Sequence, residues 1–406
     1  MTSAIADEDQ RHSGAGSPLE VLRVFLKLGL TSFGGPIAHL GYFRREFVVR
    51  RGWLDERAYA DLVALCQFLP GPASSQTGFA IGLMRAGALG GLAAWAGFTL
   101  PSAIALTLFA FGEGVLKGPA GDGLLHGLKL TAVAIVGQAV LGMARRLAPD
   151  RPRATIAVLA LIVMAFAPGA WAQIAVILLG ALAGLLVCRE FGSVADVAVE
   201  ETPISRQMGL VFAAAFVVLL ALSFVPARPD AAALAAAFYR SGALVFGGGH
   251  VVLPLLRTAV VDPGWVPDGA FLAGYGAAQA VPGPLFTFAA YLGAVAGIGP
   301  GGVAGATLGL VAIFAPGLLL LMAVLPFWNG LRTLSKARAA MAGVNAAVVG
   351  LLASALYDPV WTSAVKGPAD FAIVAAGFVA LVVWETAPLL VVVATVAAAA
   401  ALSLAG

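Results

Sequence analysis

The chain contains two copies of one sequence pattern, and this repeat limits the folds that it can adopt. The matching pairs are LTSFGGPIAHL (30–40) with ALVFGGGHVVL (243–253), GWLDERAY (52–59) with GWVPDGAF (264–271), and QFLPGPASS (67–75) with QAVPGPLFT (279–287). Repeated sequence predicts repeated structure. We therefore expect a protein built from two copies of one unit.

The pattern divides the chain into four predicted segments. They are a tail (1–17), a first repeat (18–190), a linker with a connecting transmembrane helix (191–230) and a second repeat (231–406). The tail, MTSAIADEDQRHSGAGS, is polar and mixed in charge. It lacks the apolar core of a signal peptide, so we predict a disordered cytoplasmic tail.

Composition places both repeats in a membrane. Hydrophobic residues make up 60% of the chain and charged residues 11%, with a mean hydropathy of +0.95. Soluble domains carry about 25% charged residues. The apolar runs 88–112, 170–188, 302–326 and 339–357 approach the roughly 20 residues of a spanning helix. We predict an all-α polytopic membrane protein with roughly 10–13 membrane segments.

The sequence lacks the motifs that are typical of several classes of protein. Two cysteines, Cys66 and Cys188, cannot form a disulfide framework. No HExxH zinc motif and no GxxxxGK phosphate loop occurs. We therefore expect no metal, no cofactor and no nucleic-acid partner. A membrane-embedded enzyme would need acidic or histidine side chains at membrane depth. The candidates are few and do not recur in both repeats: Asp61, Glu113, His126, Asp358 and Glu385.

Loop charges predict that the two repeats have opposite orientations. In the first repeat, the loop that follows the FGG motif carries Arg44, Arg45, Arg50, Arg51 and Arg57. The matching loop of the second repeat carries Arg257, Asp262 and Asp268. Positive residues collect on the cytoplasmic side, so one repeat is inverted, as in many secondary transporters, and the N-terminus is cytoplasmic. The loops 41–58 and 144–153 both look cytoplasmic, with three apolar elements between them. We expect the element at 59–83 to enter and return; the alternative is that the charge rule fails at one of these loops.

Glycine and proline interrupt both repeats at matched positions. Proline is favoured at the first position of a helix, and glycine lets the chain turn before it. The free N–H groups at a helix start favour anions. The predicted binding residues at these breaks are Gly34, Gly35, Pro36, Gly71, Pro72, Ser74, Ser75, Gly247, Gly248, Gly249, Gly283, Pro284 and Thr287. The alternative is that the breaks only kink the helices for packing.

Other polar residues near the breaks extend the predicted site. Lys27 and Arg240 are equivalent in the two repeats, and cations within a membrane are costly and often functional; the alternative is that both snorkel. Gln67 and Gln279 either donate to an oxyanion or cap free carbonyls. His39 and His250 are not equivalent and fit either proton coupling or packing.

The pair Arg44-Arg45 has two interpretations. It could gather anions at a cytoplasmic mouth, or it could serve only as a topology anchor.

These motifs resemble the chromate ion transporter family, in its long-chain form with two fused halves. The resemblance rests on SFGGPIAHLGYFRREF (32–47), QFLPGPASSQ (67–76), FGGGHVVLPLL (246–256) and QAVPGPLFTFAAYLG (279–293). It implies halves of opposite orientation and export of chromate, a tetrahedral dianion, which confers chromate resistance. The expected partners are chromate, sulfate as a competitor, the lipid bilayer and a second copy in a homodimer.

Three alternatives stay open at this point. An importer or exchanger of sulfate or another oxyanion would use the same site with a different direction of flux. An anion channel also fits inverted repeats with broken helices. A membrane-embedded enzyme fits least, because its candidate catalytic residues are few.

Overall fold

A computed structural model describes residues 16–113, 118–188, 204–226, 228–331 and 334–405. Within these ranges every regular element is helical. The predicted tail lies outside them except for Gly16 and Ser17, and most of the polar part of the linker also lies outside.

The described part of the first repeat contains seven helices. They are α1 (Pro18–Thr31), α2 (Gly35–Phe43), α3 (Glu56–Phe68), α4 (Ala73–Glu113), α5 (Pro119–Leu147), α6 (Arg151–Phe166) and α7 (Ala170–Val187). A π-helical stretch (Arg44–Arg50) extends α2. Non-helical backbone at Ala86 and Gly87 divides α4 into a first segment, 73–85, and a second segment, 88–113.

One helix connects the repeats, and eight further helices complete the described chain. They are α8 (Arg206–Leu222), α9 (Ala231–Ala243), α10 (Val252–Val260), α11 (Asp268–Ala280), α12 (Phe288–Val295), α13 (Gly302–Val324), α14 (Ser335–Ala355), α15 (Pro368–Val382) and α16 (Pro388–Ala405). Short 3₁₀ turns, Gly249–Val251 and Leu285–Thr287, precede α10 and α12. Short helical segments at Leu325–Phe327 and Trp328–Leu331 follow α13, and Leu356–Trp361 and Thr362–Ala364 follow α14.

Within the described residues, five helical stretches are long and apolar enough to cross a membrane. They are Ala73–Gly112, Gly121–Leu147, Ala170–Val187, Gly302–Leu331 and Ser335–Ala364. The four predicted apolar runs fall in or overlap these stretches, so the prediction of a multi-pass helical membrane protein is confirmed.

Each repeat begins with two helical hairpins whose helices are separated by a break. In the first repeat α1 and α2 form one hairpin, and α3 and the first segment of α4 form the next. In the second repeat the hairpins are α9 with α10 and α11 with α12. The breaks, which we call together the tip cluster, are 32–34, 69–72, 244–248 and 281–284.

Both hairpins of the first repeat return to the face from which they start. The backbone N–H of Gly16, just before α1, donates to the Arg85 carbonyl at 3.0 Å. Arg85 and Arg51 both pair with Glu20, at 3.5 and 3.8 Å. The Arg85 guanidinium lies 5.1 Å from the ring centre of Trp53. We call the surface formed by Gly16, Glu20, Arg51, Trp53 and Arg85 the Trp53 face. The element at 59–83, for which the sequence predicts entry and return, belongs to the second of the two hairpins that end at this face.

The second repeat repeats this arrangement at its own tryptophan. The backbone N–H of Gly297, after α12, donates to the Trp265 carbonyl at 2.8 Å. Gly299 packs against Ala231, the first residue of α9. The ends of these hairpins form a second surface, which we call the Trp265 face.

The two faces lie at opposite ends of the second segment of α4. This segment starts next to Arg85 on the Trp53 face and is about 39 Å long at about 1.5 Å per residue. Near its other end Phe111 packs against Gly302, where α13 begins on the Trp265 face. The repeats are therefore inverted, as the loop charges predict.

Candidate functional site

Two backbone hydrogen bonds join the breaks of one repeat to those of the other. The N–H of Gly71 donates to the Val245 carbonyl at 2.7 Å, and the N–H of Gly283 donates to the Ser32 carbonyl at 3.0 Å. Gly71 and Gly283 are equivalent in the repeats, and so are Ser32 and Val245. The exchange is reciprocal, so it places all four breaks in one cluster.

The central glycines of the PGP motifs are required by their conformation and by their neighbours. Gly71 has φ +120° and Gly283 has φ +107°, in the region that favours glycine. A Cβ at Gly283 would lie 2.8 Å from the Ser102 hydroxyl, and one at Gly71 would lie 3.1 Å from the Cα of Gly317. Each PGP break therefore packs on the long proline-containing helix of the other repeat.

The first break of each repeat also meets its counterpart. A Cβ at Gly249 would lie 3.3 Å from Cγ of Pro36, and these two residues correspond in the repeat. Glycine in the second repeat leaves room for the proline of the first. This contact explains why FGGP in one copy becomes FGGG in the other.

Helices start from the breaks as the prolines predict. Gly34, at φ +101°, precedes α2, which has Pro36 in its first turn and no side-chain cap. Pro72 directly precedes α4, and Pro284 precedes the turn before α12. Because the first N–H groups of a helix lack internal partners, these starts bring hydrogen-bond donors to the tip cluster.

Buried hydroxyl groups of the first repeat surround its two breaks. Ser32 and Ser75 are 0% and 2% exposed, and neither hydroxyl has a hydrogen-bond partner among the described residues. The Ser74 hydroxyl lies 3.4 Å from Nδ1 of His39. Buried polar groups are normally paired, so the hydroxyls of Ser32 and Ser75 leave unused hydrogen-bonding capacity at these breaks.

The second repeat brings less polar chemistry to the cluster. The Thr287 hydroxyl donates to the Pro284 carbonyl at 2.8 Å. Gln279 is half-buried, and its Nε2 has no partner among the described residues. The equivalent Gln67 is exposed. The two glutamines are equivalent in the sequence repeat, but the structure places them in different surroundings.

Lys27 and Arg240 are also equivalent in sequence, but their side chains have different surroundings. Lys27 is exposed on α1. The Arg240 guanidinium donates to the Ser223 carbonyl at 2.6 Å, at the end of α8, and lies 5.3 Å from the ring centre of Phe224. The structure thus directs Arg240 to the end of the connecting helix, and it does not bring these two cations together at the breaks.

One face of α2 leads from the break to the Trp53 face. Gly34, Ile37, Gly41 and Arg45 are exposed along it. Irregular backbone at membrane depth is tolerated where it lines a water-filled cavity or is buried in protein, and Gly34 is exposed at its break.

Ion pairs hold most of the basic residues at the end of this face. Arg44 donates to Glu56 at 2.6 Å, which raises the pKa of Arg44. Burial raises the pKa of Glu46, but hydrogen bonds from Arg51 and Arg50 outweigh it and leave the pKa below its usual value.

Three residues of this region were missing from the predicted site. Gln76 is buried, and its Nε2 bridges the Pro70 and Gly317 carbonyls at 3.0 and 2.9 Å. Ser102 and Gly317 each follow a proline inside a long helix, in TLPS and FAPG. Aligning the two repeats as far as the prolines of TLPS and FAPG would have identified Ser102 and Gly317.

An inverted pair of helical repeats with broken hairpins that meet at their tips is typical of secondary transporters. Sequence comparison gives the family. Residues 19–185 and 232–402 match the chromate transporter family, once for each repeat. The chain belongs to the chromate transporter family, and membership of a transporter family implies transport rather than catalysis.

Curated relatives cover most of the chain. A chromate transport protein of Pseudomonas aeruginosa is 30% identical over 89% of this chain and 86% of its own length. A probable chromate transport protein of Synechococcus elongatus is 28% identical over 83% of each chain. An uncharacterized transporter of Methanocaldococcus jannaschii is 26% identical over 78% of each. No solved structure matches the chain.

Proposed function

We propose that the protein exports chromate from the cytoplasm and binds this oxyanion at the tip cluster. The observation that carries the proposal is the reciprocal pair of hydrogen bonds, Gly71 to Val245 and Gly283 to Ser32. It gathers several helix starts and two unpartnered hydroxyls at one place between inverted repeats. A tetrahedral oxyanion needs several converging donors, and helix starts supply them without a fixed cation.

The proposed site lies at the breaks 34–36, 71–72, 247–249 and 283–284, with Ser74, Ser75, Thr287 and Gln279. Its backbone donors are N–H groups of the helix starts that follow the breaks, because the N–H groups of Gly71 and Gly283 already donate to Val245 and Ser32 and proline has none. Lys27 and Arg240 are outside this set, because Lys27 is exposed on α1 and Arg240 is bonded to the end of α8.

The membrane potential can drive the export of a dianion. One charge moved across 100 mV is worth about 2.3 kcal/mol, so a dianion leaving a negative interior gains about 4.6 kcal/mol. This energy sustains a gradient above about a thousandfold, which would confer chromate resistance without ATP. We further propose that the Trp53 face and the N-terminus lie on the cytoplasmic side of a bacterial inner membrane. Arg45, Arg50, Arg51 and Arg85 lie at or near that face, and positive residues collect on the cytoplasmic side.

Sulfate shares the shape and charge of chromate. Backbone N–H groups and hydroxyls distinguish charge and geometry far better than they distinguish the central atom. We therefore expect sulfate to compete for the site. An oxyanion importer or exchanger would use the same cluster, so direction must be measured.

The test is labelled chromate flux in inside-out vesicles with an imposed potential, with and without sulfate. Export from the cell appears there as saturable accumulation that depends on the potential and that sulfate inhibits. Uptake only in right-side-out vesicles would contradict the proposed direction, and flux that never saturates would indicate a channel.

A further inference from the structure

His39 connects the two breaks of the first repeat to the second repeat. It lies on α2 and is completely buried. Its Nε2 is 3.2 Å from the Ser32 carbonyl, the same oxygen that accepts the Gly283 N–H. Its Nδ1 is 3.4 Å from the hydroxyl of Ser74 in the first turn of α4, and its ring packs edge-on against Phe98.

These contacts assign the tautomer. A carbonyl oxygen can only accept, so Nε2 carries the hydrogen. In the neutral ring Nδ1 is then an acceptor, and the Ser74 hydroxyl donates to it. Nδ1 is therefore the position at which a proton would add, and it faces the start of the helix that follows the first PGP break.

Charged groups are absent from the immediate surroundings of this ring within the described residues. On α4, which packs against α2, Arg85 lies at the Trp53 face and Glu113 at the helix end. On α1 Lys27 is exposed. From α3, Tyr59 donates to the Leu40 carbonyl rather than to the ring, and the break 281–284 has no titratable side chain.

A dianion in this cluster therefore meets N–H dipoles and hydroxyls without a fixed positive charge. An isolated charge in an apolar interior is costly. An adjacent opposite charge favours the charged form of a titratable group. His39 is the group that can supply that charge within hydrogen-bonding reach of two breaks.

We infer that His39 takes up one proton from water on Nδ1 when an oxyanion binds at the tip cluster. This inference rests on the proposed function. With Nδ1–H present, Ser74 accepts from the ring instead of donating to it. Its own O–H then turns to the anion, so that one added proton provides both a positive charge and a further donor.

His250 does not have the same position in the second repeat. Its Nδ1 lies 2.8 Å from the Tyr275 hydroxyl, and this tyrosine sits against Phe288. The residue equivalent to Ser74 is Phe286, so a proton on His250 would free no hydroxyl on the turn after the break. The inference therefore assigns the proton to the first repeat only.

Proton and anion binding are then linked, and the linkage is reciprocal. Oxyanion affinity should fall as pH rises, by up to about tenfold per pH unit where one full proton is taken up. Sulfate is the cleaner probe, because it remains a dianion near neutral pH, whereas chromate itself gains a proton in mildly acidic solution.

The experiment is isothermal titration of the purified full-length protein with sulfate and with chromate. Repeating the titration in buffers of different ionisation enthalpy gives the number of protons taken up per bound anion, because the observed binding enthalpy changes with the buffer in proportion to that number. The variants are His39→Gln, Ser74→Ala and His250→Gln. The matched control is His126→Gln on α5, away from the breaks, where the imidazole pairs with Asp370 of α15 at 2.8 Å.

We expect uptake of about one proton per sulfate in the wild type and in the His126→Gln control, and none in His39→Gln. Ser74→Ala should weaken binding while retaining uptake. Oxyanion binding without proton uptake in the wild type would overturn the inference and leave the proposed function standing. Uptake that is lost in His250→Gln but kept in His39→Gln would overturn the assignment. No binding of either anion, together with no flux, would overturn the proposed function itself.

Discussion

The turn after the PGP motif reads ASSQT (73–77) in the first repeat and LFTFA (285–289) in the second. In the first repeat Ser74, Ser75 and Gln76 are buried polar side chains. In the second, Phe286 and Phe288 fill the same region, and Phe288 packs against Phe271 with ring centres 5.2 Å apart. The backbone is duplicated, but the side-chain chemistry is not.

This difference indicates that the two repeats contribute different chemical groups to the tip cluster. Both copies keep the same breaks, because the reciprocal hydrogen bonds of Gly71 and Gly283 need the same geometry on both sides. The first repeat adds hydroxyls and an imidazole, which can recognise a ligand. The second adds aromatic packing, which fixes its hairpin.

The largest effect should come from the feature that both repeats share. Gly71→Ala and Gly283→Ala each place a Cβ at positive φ against the other repeat. We expect each to lower the free energy of unfolding by about 1–3 kcal/mol and to reduce chromate flux at least about tenfold. Thermal unfolding and vesicle flux measure this. Gly142→Ala is the control, because a Cβ there would meet open space; a wild-type phenotype for either PGP variant would show that the shared geometry is dispensable.

The second prediction concerns the polar side chains of the first repeat. Ser75→Ala should reduce flux by about tenfold, because a hydrogen bond to a charged group is worth about 1.5–3 kcal/mol. It should not lower stability, since the hydroxyl has no partner to lose. Thr107→Val is the control on the same helix, where the hydroxyl donates to the Ala103 carbonyl. Full flux in Ser75→Ala would remove the proposed difference between the repeats.

The third prediction separates the two equivalent cations. Arg240→Ala should lower the free energy of unfolding by about 1–3 kcal/mol, because it leaves the Ser223 carbonyl without its charged donor. Lys27→Ala should leave stability unchanged, since its side chain is exposed. Denaturation of both variants in one detergent measures the difference. Equal and complete loss of flux with unchanged stability in both would instead support a paired binding site.

The smallest effect should come from the loops after the first hairpin. Arg45 is exposed, whereas in the second repeat Arg257 is held by Asp262 and Asp268 at 3.0 and 3.2 Å. Arg45→Ala should raise the chromate KM about twofold to threefold at low ionic strength and have little effect at high salt. A KM that rises equally at both ionic strengths would argue against electrostatic gathering at this face.

The sequence predicts the inverted repeat, the breaks and the helix starts because these follow from local rules. Proline and glycine at 70–72 and 282–284 restrict the backbone whatever surrounds them. The hydrogen bond from Gly71 to Val245 joins residues far apart in the chain, so it depends on packing that no local rule supplies. The same limit explains Lys27 and Arg240, because equivalence in a repeat does not fix the neighbour that each side chain meets.

The central claim is that an oxyanion binds among the four breaks, between the repeats. The most direct measurement is anomalous diffraction at the chromium edge from crystals of the protein grown with chromate. We predict a chromium peak next to Gly34–Pro36 and Pro72–Ser75, placed so that the chromate oxygens reach the backbone N–H groups that follow Pro36 and Pro72, and weakened by added sulfate. A peak elsewhere, for example in the 290 Å³ cavity lined by Asp122, His126 and Asp370, with none at the breaks, would contradict the account.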